Sequence, residues 1–536
     1  ANMLLARAVV RRREIAIRLA LGSGRAGLIQ QLLAEGLVLS LFGGCAGVFL
    51  AFWGVRLLIS SLVTMSPIPL TLNAGIDLRV LAATLLFSIL STLLFALGPA
   101  WKASRADLVS DLKENTVSAA RKSRPRLLLS SRNILVIGQL ALSLTLLAAS
   151  GLFIRSSYKA AMVNPGFHID DSYLLEVDAG IAGYSEAQGR NLYRRLLERM
   201  AALPDIQHAS LAAVVPFGSV SLGRSVQRAE GASADLQADL PENRPVGATF
   251  NAVSEDYFRT LGIPLLRGRP FSEAEAQTGS GIRVAIVDEN LARRLWPGEN
   301  PIGKSIVFRR DNQVNLEQAM EIVGIVGNVR YSLRDSADYP NVYVPFGQDY
   351  HSDIYFHLKT APAGPQREAS ILQTVRQEIR RADDRLPVFS LKSFRRHLDE
   401  SFDLWIYRTA ARMFGVFGGL ALFLAVAGVY GLISFTVARR AREIGIRIAL
   451  GATPGHTLRL ILRQGLVLTS WGIGTGLLLA FGIGQLLGSM LYEVRWFDPV
   501  LWAAAPMLLT AASIFASYFP TRRAMRIDPM VALRSD

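Results

Sequence analysis

Six stretches of this chain run for about 20 residues or more with almost no charge, and that feature alone excludes most folds. They lie at roughly 31–59, 79–100, 134–154, 410–437, 463–490 and 501–519. A helix needs about 20 apolar residues to cross the hydrocarbon of a bilayer. Inside lipid every backbone N–H and C=O must find its partner within the segment, so these stretches predict membrane-spanning helices. Residues 1–10 read as the tail of a further span, so the sequence is expected to open inside a helix whose beginning lies upstream.

Lysine and arginine in the connections set the direction. The segment after 79–100 holds Lys102, Arg105, Lys113, Arg121, Lys122, Arg124, Arg126 and Arg132. The segment after 410–437 holds Arg439, Arg440, Arg442 and Arg447, and the C-terminal tail holds Arg522, Arg523, Arg526 and Arg534. Connections 60–78 and 491–500 are poor in both residues. Cytoplasmic loops carry the excess of Lys and Arg, so the basic segments belong in the cytoplasm, and 60–78, 491–500 and the long region 156–408 belong on the far side.

This clustering beside apolar spans accounts for the formal net charge of +15 with membrane lipid as the partner. There is no Cys/His zinc spacing and no RNP-like aromatic motif, so no nucleic-acid partner is expected. The single cysteine, Cys45, reads as a small buried hydrophobe. With no second cysteine to pair with, the far-side region must hold itself together by burial.

Glycines recur four apart in three spans: Gly43 and Gly47, Gly415 and Gly419, Gly472 and Gly476. That spacing lets helix backbones approach closely in a bilayer, although glycine is also simply common in membrane helices.

The chain repeats itself. REIAIRLALG at 13–22 matches REIGIRIALG at 442–451, an offset of 429 residues that carries EGLVLS at 35–40 onto QGLVLT at 464–469. The same offset places Gly43 and Gly47 on Gly472 and Gly476. PAWKASRADLVSDLK at 99–113 resembles PTRRAMRIDPMVALR at 520–534 and closes each copy. Each copy reads as basic segment, glycine-rich span, short outer loop, second span and basic tail.

On a helix, Glu443 stands four residues before Arg447, the favourable order for an ion pair worth a few tenths of a kcal/mol. Ile444, Ile448 and Leu450 occupy another sector, so the segment is amphipathic with a basic side suited to headgroups. Gly451 follows the last apolar residue and is placed to end the helix. Glu14, Arg18 and Gly22 repeat the arrangement. Two readings remain: a surface-lying anchor, or a coupling element that meets a cytoplasmic motor.

REIGIRIALGATPGHTLRLILRQGLVL at 442–468, with the closing PTRRAMRIDPMVALR, resembles the FtsX-like permease domain over about 1–113 and 410–536. FNAVSEDYFRTLGIPLLRGRPF at 250–271 and VAIVDENLARRLWPGENPIGKSI at 284–306 resemble the periplasmic core domain of MacB-type permeases. The duplicated layout is similar to the orphan ABC permeases of acidobacteria, which lack a fused ATPase. The resemblance implies a bacterial inner-membrane, multi-pass protein with residues about 156–408 in the periplasm. It implies a helical transmembrane bundle of about six full spans plus an α+β extracytoplasmic domain made of two subdomains. It divides the chain into a first permease copy at 1–113, a basic linker at 114–133, a span at 134–155, the periplasmic core at 156–408 and a second permease copy at 409–536. It also implies a separate ABC ATPase as partner, with a periplasmic adaptor and an outer-membrane duct beyond it. Arg442, Glu443, Arg447 and Gly451, with Arg13, Glu14, Arg18 and Gly22, would then lie at the ATPase contact.

The far-side region reads as α/β in its own right. YLLEVDAGI, IQHASLAAVV, DIYFHLKT and VFSLKS read as strands, with a helix opening at Ser185 (Gln188 completing a capping box) and another at 366–382. Two β-α-β units therefore bracket a middle portion, about 215–350, with short strands such as RVAIV, SIVF and MEIVGIVG.

Gly298 to Ser305 fits G-x-x-x-x-G-K-[ST] letter for letter. A phosphate-binding loop needs a strand before it and a helix after it. Here the order is helix then strand, and Pro301 removes an amide donor, so a turn is expected. HExxH and G-x-S-x-G do not occur, and Asp170, Asp171 and Asp178 read as turn or surface carboxylates. No acidic residue lies deep in a span, which weighs against a proton-driven carrier. No catalytic residue, cofactor or metal site is expected. The leading expectation is a transport permease moving hydrophobic or lipidated cargo, and the alternative is a regulatory membrane protein acting on a periplasmic partner such as a cell-wall hydrolase.

Overall fold

A computed structural model describes residues 25–63, 77, 79–90, 131–230, 232, 244–278, 281–310, 313–336, 338–362, 364–439, 446, 454–495 and 497–524. It falls into two compact units. One comprises Ala1–Tyr158 with Arg408–Asp536, the other Lys159–Tyr407.

Among the described residues the first elements are α1 (Arg25–Val63), α2 (Arg79–Leu90) and α3 (Ser131–Ala161). Asn164, Pro165 and Gly166 follow α3. Asn164 accepts a bond from the Gly166 amide, and Gly166 sits at φ +87°, a turn that no ordinary residue continues as helix.

The α/β unit then begins with β1 (Ser172–Asp178), α4 (Glu186–Ala201) and β2 (Ile206–Ala212). Its middle holds β3 (Leu222–Arg228), β4 (Val246–Val253), α5 (Tyr257–Leu261), β5 (Leu265–Gly268), α6 (Glu273–Thr278), β6 (Val284–Asp288) and α7 (Glu289–Leu295). There follow β7 (Ser305–Arg310), β8 (Gln313–Val314), β9 (Met320–Val326) and β10 (Asn341–Pro345). It closes with β11 (Asp353–Thr360), α8 (Pro365–Ala382), β12 (Val388–Ser393) and α9 (Phe394–Asp399). Last come α10 (Phe402–Arg439), α11 (Pro454–Leu487) and α12 (Pro499–Ala524).

Among the described residues, five helices are long and apolar enough to cross a membrane: Ala34–Arg56, Asn133–Ala161, Phe402–Ala438, Leu458–Met490 and Pro499–Arg523. The other expected span, 79–100, is described only as the short apolar helix α2, and its remainder lies outside the described residues. Cys45 is exposed on α1, not buried as expected. It belongs to an outward apolar surface with Phe42 and Phe49, a face suited to lipid.

The two expected β-α-β units form. Strand order β2-β11-β1-β12 joins them into one antiparallel sheet. In α4, Gly189, Leu192, Tyr193, Leu196 and Met200 are buried at helical spacing, and the Ser185 amide donates to Gln188 Oε1 at 3.0 Å as the capping box requires. In α8, Pro365 starts the helix and Ile371, Val375 and Ile379 form the buried stripe.

The middle strands close on themselves. Pairing runs β4-β10-β6-β9-β7-β3 and returns to β4, because β10 lies parallel to β4 from Asn341↔Thr249 to Pro345↔Val253. Closure removes open edges that would otherwise recruit other strands. The ring and the antiparallel sheet belong to one hydrogen-bonded network, joined where Ala212 pairs with Val253.

Candidate functional site

The eight residues expected at the ATPase contact lie outside the described residues: Arg13, Glu14, Arg18 and Gly22 in the first copy, Arg442, Glu443, Arg447 and Gly451 in the second. Their neighbours are described. α10 ends at Arg439, α11 begins at Pro454, and between them Ile446 is helical and exposed.

What the structure builds is the helix seam adjoining that segment. α3, α10, α11 and α12 share one core, with Val136, Leu140 and Leu144 of α3 spaced four apart against Val429, Leu432 and Ile433 of α10, Leu468 of α11 and Leu509 of α12. α11 meets α3 through two glycines. A Cβ on Gly472 would lie 2.5 Å from Leu140 Cβ, and one on Gly476 would lie 2.9 Å from the Ala141 carbonyl oxygen. Of the three glycine pairs in the sequence, this one seats a neighbouring helix. Gly43, Gly47, Gly415 and Gly419 have open space where a Cβ would go.

α3 and α10 are joined by polar groups in an apolar setting. Ser143 Oγ donates to the Ala421 carbonyl at 2.8 Å, Gln139 Nε2 donates to the Leu424 carbonyl at 2.5 Å, and Ser150 Oγ donates to the Phe414 carbonyl. Side-chain bonds of this kind hold membrane helices in register, each worth ~0.6–2 kcal/mol. At one end of the seam Arg155 forms an ion pair with Asp498, and the Tyr492 amide donates to Ser156 Oγ at 2.8 Å. Sequence reasoning passed over Ser143, Gln139 and Ser150. Their signal was a polar residue every few positions within an apolar span.

A fourth missed residue is Asp403, in the first turn of α10 and within the α/β unit. Its side chain is 7% exposed. Its carboxylate accepts from Ser332 Oγ at 2.5 Å and the Leu333 amide at 2.8 Å, and pairs with Arg334 Nε at 2.8 Å. The start of the helix is thereby clamped to the loop after β9. Burial, then the charge of Asp403, pushes the Asp335 carboxyl above its ordinary range.

The phosphate-loop lookalike is a turn. α7 precedes it and β7 follows it, with Gly298 and Gly303 at φ +79° and +83°. The Gly303 amide donates to the Ile322 carbonyl at 2.9 Å, and Lys304 is paired with Glu299. Asp178 caps a turn through the Gly180 amide at 2.7 Å, and Asp170 pairs with Arg395. No cluster of His, Cys, Asp or Glu among the described residues could hold a metal ion.

Long apolar helices on either side of an α+β domain in the sequence define the class of a multi-pass membrane protein. The family follows from sequence comparison. The model described as FtsX-like permease C-terminal matches residues 1–108 and again 415–529, and that described as MacB-like periplasmic core domain matches 134–377. The chain carries FtsX-like permease domains around a MacB-like periplasmic core domain and belongs to the ABC permease family that they define. It is 25% identical over 296 residues to the macrolide export ATP-binding/permease protein MacB of Hahella chejuensis, a match covering 54% of this chain and 43% of that protein. It is 26% identical over 326 residues to the MacB of Azoarcus sp., covering 57% and 45% respectively. The chain thus spans less than half the length of these curated relatives. Among solved structures, the periplasmic region of MacB from Actinobacillus actinomycetemcomitans matches with a TM-score of 0.26 at 15% identity, covering 40% of this chain and 85% of that one.

Proposed function

We propose that this chain is the membrane permease of an ABC-type complex, driven by a separate cytoplasmic ATPase, and that it transmits conformational change to a periplasmic domain for export or extraction of hydrophobic or lipidated cargo. The observation that carries this reading is the order of matches: one permease model on both sides of a MacB-like core domain. We place the first permease copy at 1–113, a basic linker at 114–133, a span at 134–155, the periplasmic core at 156–408 and the second copy at 409–536, in a bacterial inner membrane. The strand ring and the antiparallel sheet are the two subdomains of that core.

In this reading the amphipathic segments are the input. Arg442, Glu443, Arg447 and Gly451, with Arg13, Glu14, Arg18 and Gly22, meet the ATPase. The close-packed seam of Gly472 and Gly476 on α3 supports transmission, because packed glycine interfaces have few intermediate positions and shift as units. The Asp403 clamp is the corresponding output in the α/β unit. A periplasmic adaptor and an outer-membrane duct would receive the cargo.

Pull-down of the full chain from membranes, with and without ATP, tests the reading. Recovery of an ABC ATPase that responds to nucleotide is expected. Recovery of a cell-wall hydrolase with no ATPase would replace the transport reading with a regulatory one. Charge reversal at Glu443 and Arg447 together is expected to uncouple ATP hydrolysis from transport, and unchanged transport would remove those residues from the contact.

A further inference from the structure

A groove of about 510 Å³ opens on the strand ring beside β5 and β9. That size lies within the ~300–1,000 Å³ of sites that hold drug-sized molecules. Ile282 and Ile302 line it, and Ile282 is 74% exposed, so covering it would remove apolar surface from water. Arg269 and Glu275 also line it. Arg269 donates to both oxygens of Glu275, at 2.9 and 2.7 Å, a bidentate clamp that neutralises both charges. Glu321 lines the same groove, lies within electrostatic reach of Arg269, and forms no ion pair among the described residues. The lining therefore carries one carboxylate in excess.

We propose that this groove binds an apolar organic cation, with Glu321 as counter-charge and Ile282 and Ile302 as apolar walls. An anion would meet Glu321 with Arg269 already engaged. A neutral apolar ligand would strip water from Glu321 and return nothing to it. The site involves no residue of the seam or of the ATPase contact, so it stands whether or not an ATPase drives the chain.

Tetraphenylphosphonium and tetraphenylborate share a shape and differ in the sign of their charge. The test uses the full chain in lipid nanodiscs and a photoreactive aryl-azide derivative of triphenylphosphonium, with adducts mapped by peptide mass spectrometry. Labelling is expected at residues 281–284, 302 and 321–323. Tetraphenylphosphonium is expected to suppress it and tetraphenylborate to leave it. Glu321→Gln should weaken competition by about threefold to tenfold, the scale of one partly screened ion pair, while Glu299→Gln, at a surface ion pair, should not. Ile282→Lys, at an exposed position that does not threaten folding, should abolish labelling. Equal competition by the two ions, labelling spread over the spans alone, or indifference to both Glu321→Gln and Ile282→Lys would overturn the proposal.

Discussion

Gly472 and Leu140 stand closer than any side chain on the glycine would allow: a Cβ there would lie 2.5 Å from Leu140 Cβ. One turn on, Gly476 has the Ala141 carbonyl 2.9 Å from the same point. Gly476→Ala presses on backbone, which cannot rotate away, and should cost about 1–3 kcal/mol. Gly43, its repeat partner's neighbour in the first copy, has nothing within 4 Å of that point. Gly43→Ala should be neutral or stabilising by up to ~1 kcal/mol through helix propensity. Unfolding of the two variants in mixed detergent measures the difference, and equal effects would contradict the seam.

Asp403 satisfies a hydroxyl, an amide and a guanidinium at once. Asp403→Ala leaves the buried Leu333 amide without its acceptor, while the Ser332 hydroxyl still accepts from the Arg334 amide, and a buried unsatisfied group costs ~1–3 kcal/mol. The expected result is faster hydrogen exchange at residues 332–334 with little change in β11. Unchanged exchange at Leu333 would mean that the loop is held by something else.

Two buried histidines set an acid limit on the α/β unit. His357, on β11, is packed against Tyr257 and Phe394, and burial pushes its pKa down to about 3. His397, on α9, has its ring nitrogen 3.0 Å from the Pro216 carbonyl, and burial, then Lys392, pushes it down to about 4. A base whose folded pKa is depressed binds fewer protons folded than unfolded. Its contribution is intact above the unfolded value of about 6.5 and is lost as pH falls through the window down to the folded value, about 3 for His357 and about 4 for His397, at about 1.4 kcal/mol per pH unit for each histidine. Asp288 works the other way. Burial raises it to about 6, so its protonation favours the folded state over part of the same range. Chemical unfolding at pH 7 and pH 5 should show a net loss at pH 5, and His357→Leu should make that loss smaller. A loss of the same size in the variant would contradict the assignment.

Much of the α/β unit was legible because its edges are marked. DIYFHLKT and VFSLKS became β11 and β12 residue for residue, since each is a short run holding aromatic and β-branched residues and flanked by turn formers. The closure of the ring was not legible. Pairing of β10 with β4 joins residues about 90 positions apart, and no local pattern encodes a partner so distant. Glycine spacing placed Gly472 and Gly476 on one helix face but could not distinguish them from Gly415 and Gly419, because spacing names a face and not what covers it. Asp403 escaped because an acid in a first helical turn ordinarily serves the helix dipole, and the loop it holds comes 70 residues earlier.

Residues 156–408 are expected to lie across the membrane from the arginine-rich segments, and the proposed function requires it. A membrane-impermeant maleimide applied to spheroplasts tests that directly, in a Cys45→Ala background with one new cysteine at a time. Glu317→Cys, on an exposed loop of the α/β unit, should label in intact spheroplasts, and Lys122→Cys should label only after lysis. Labelling of Glu317→Cys only after lysis would place the domain in the cytoplasm and contradict the account.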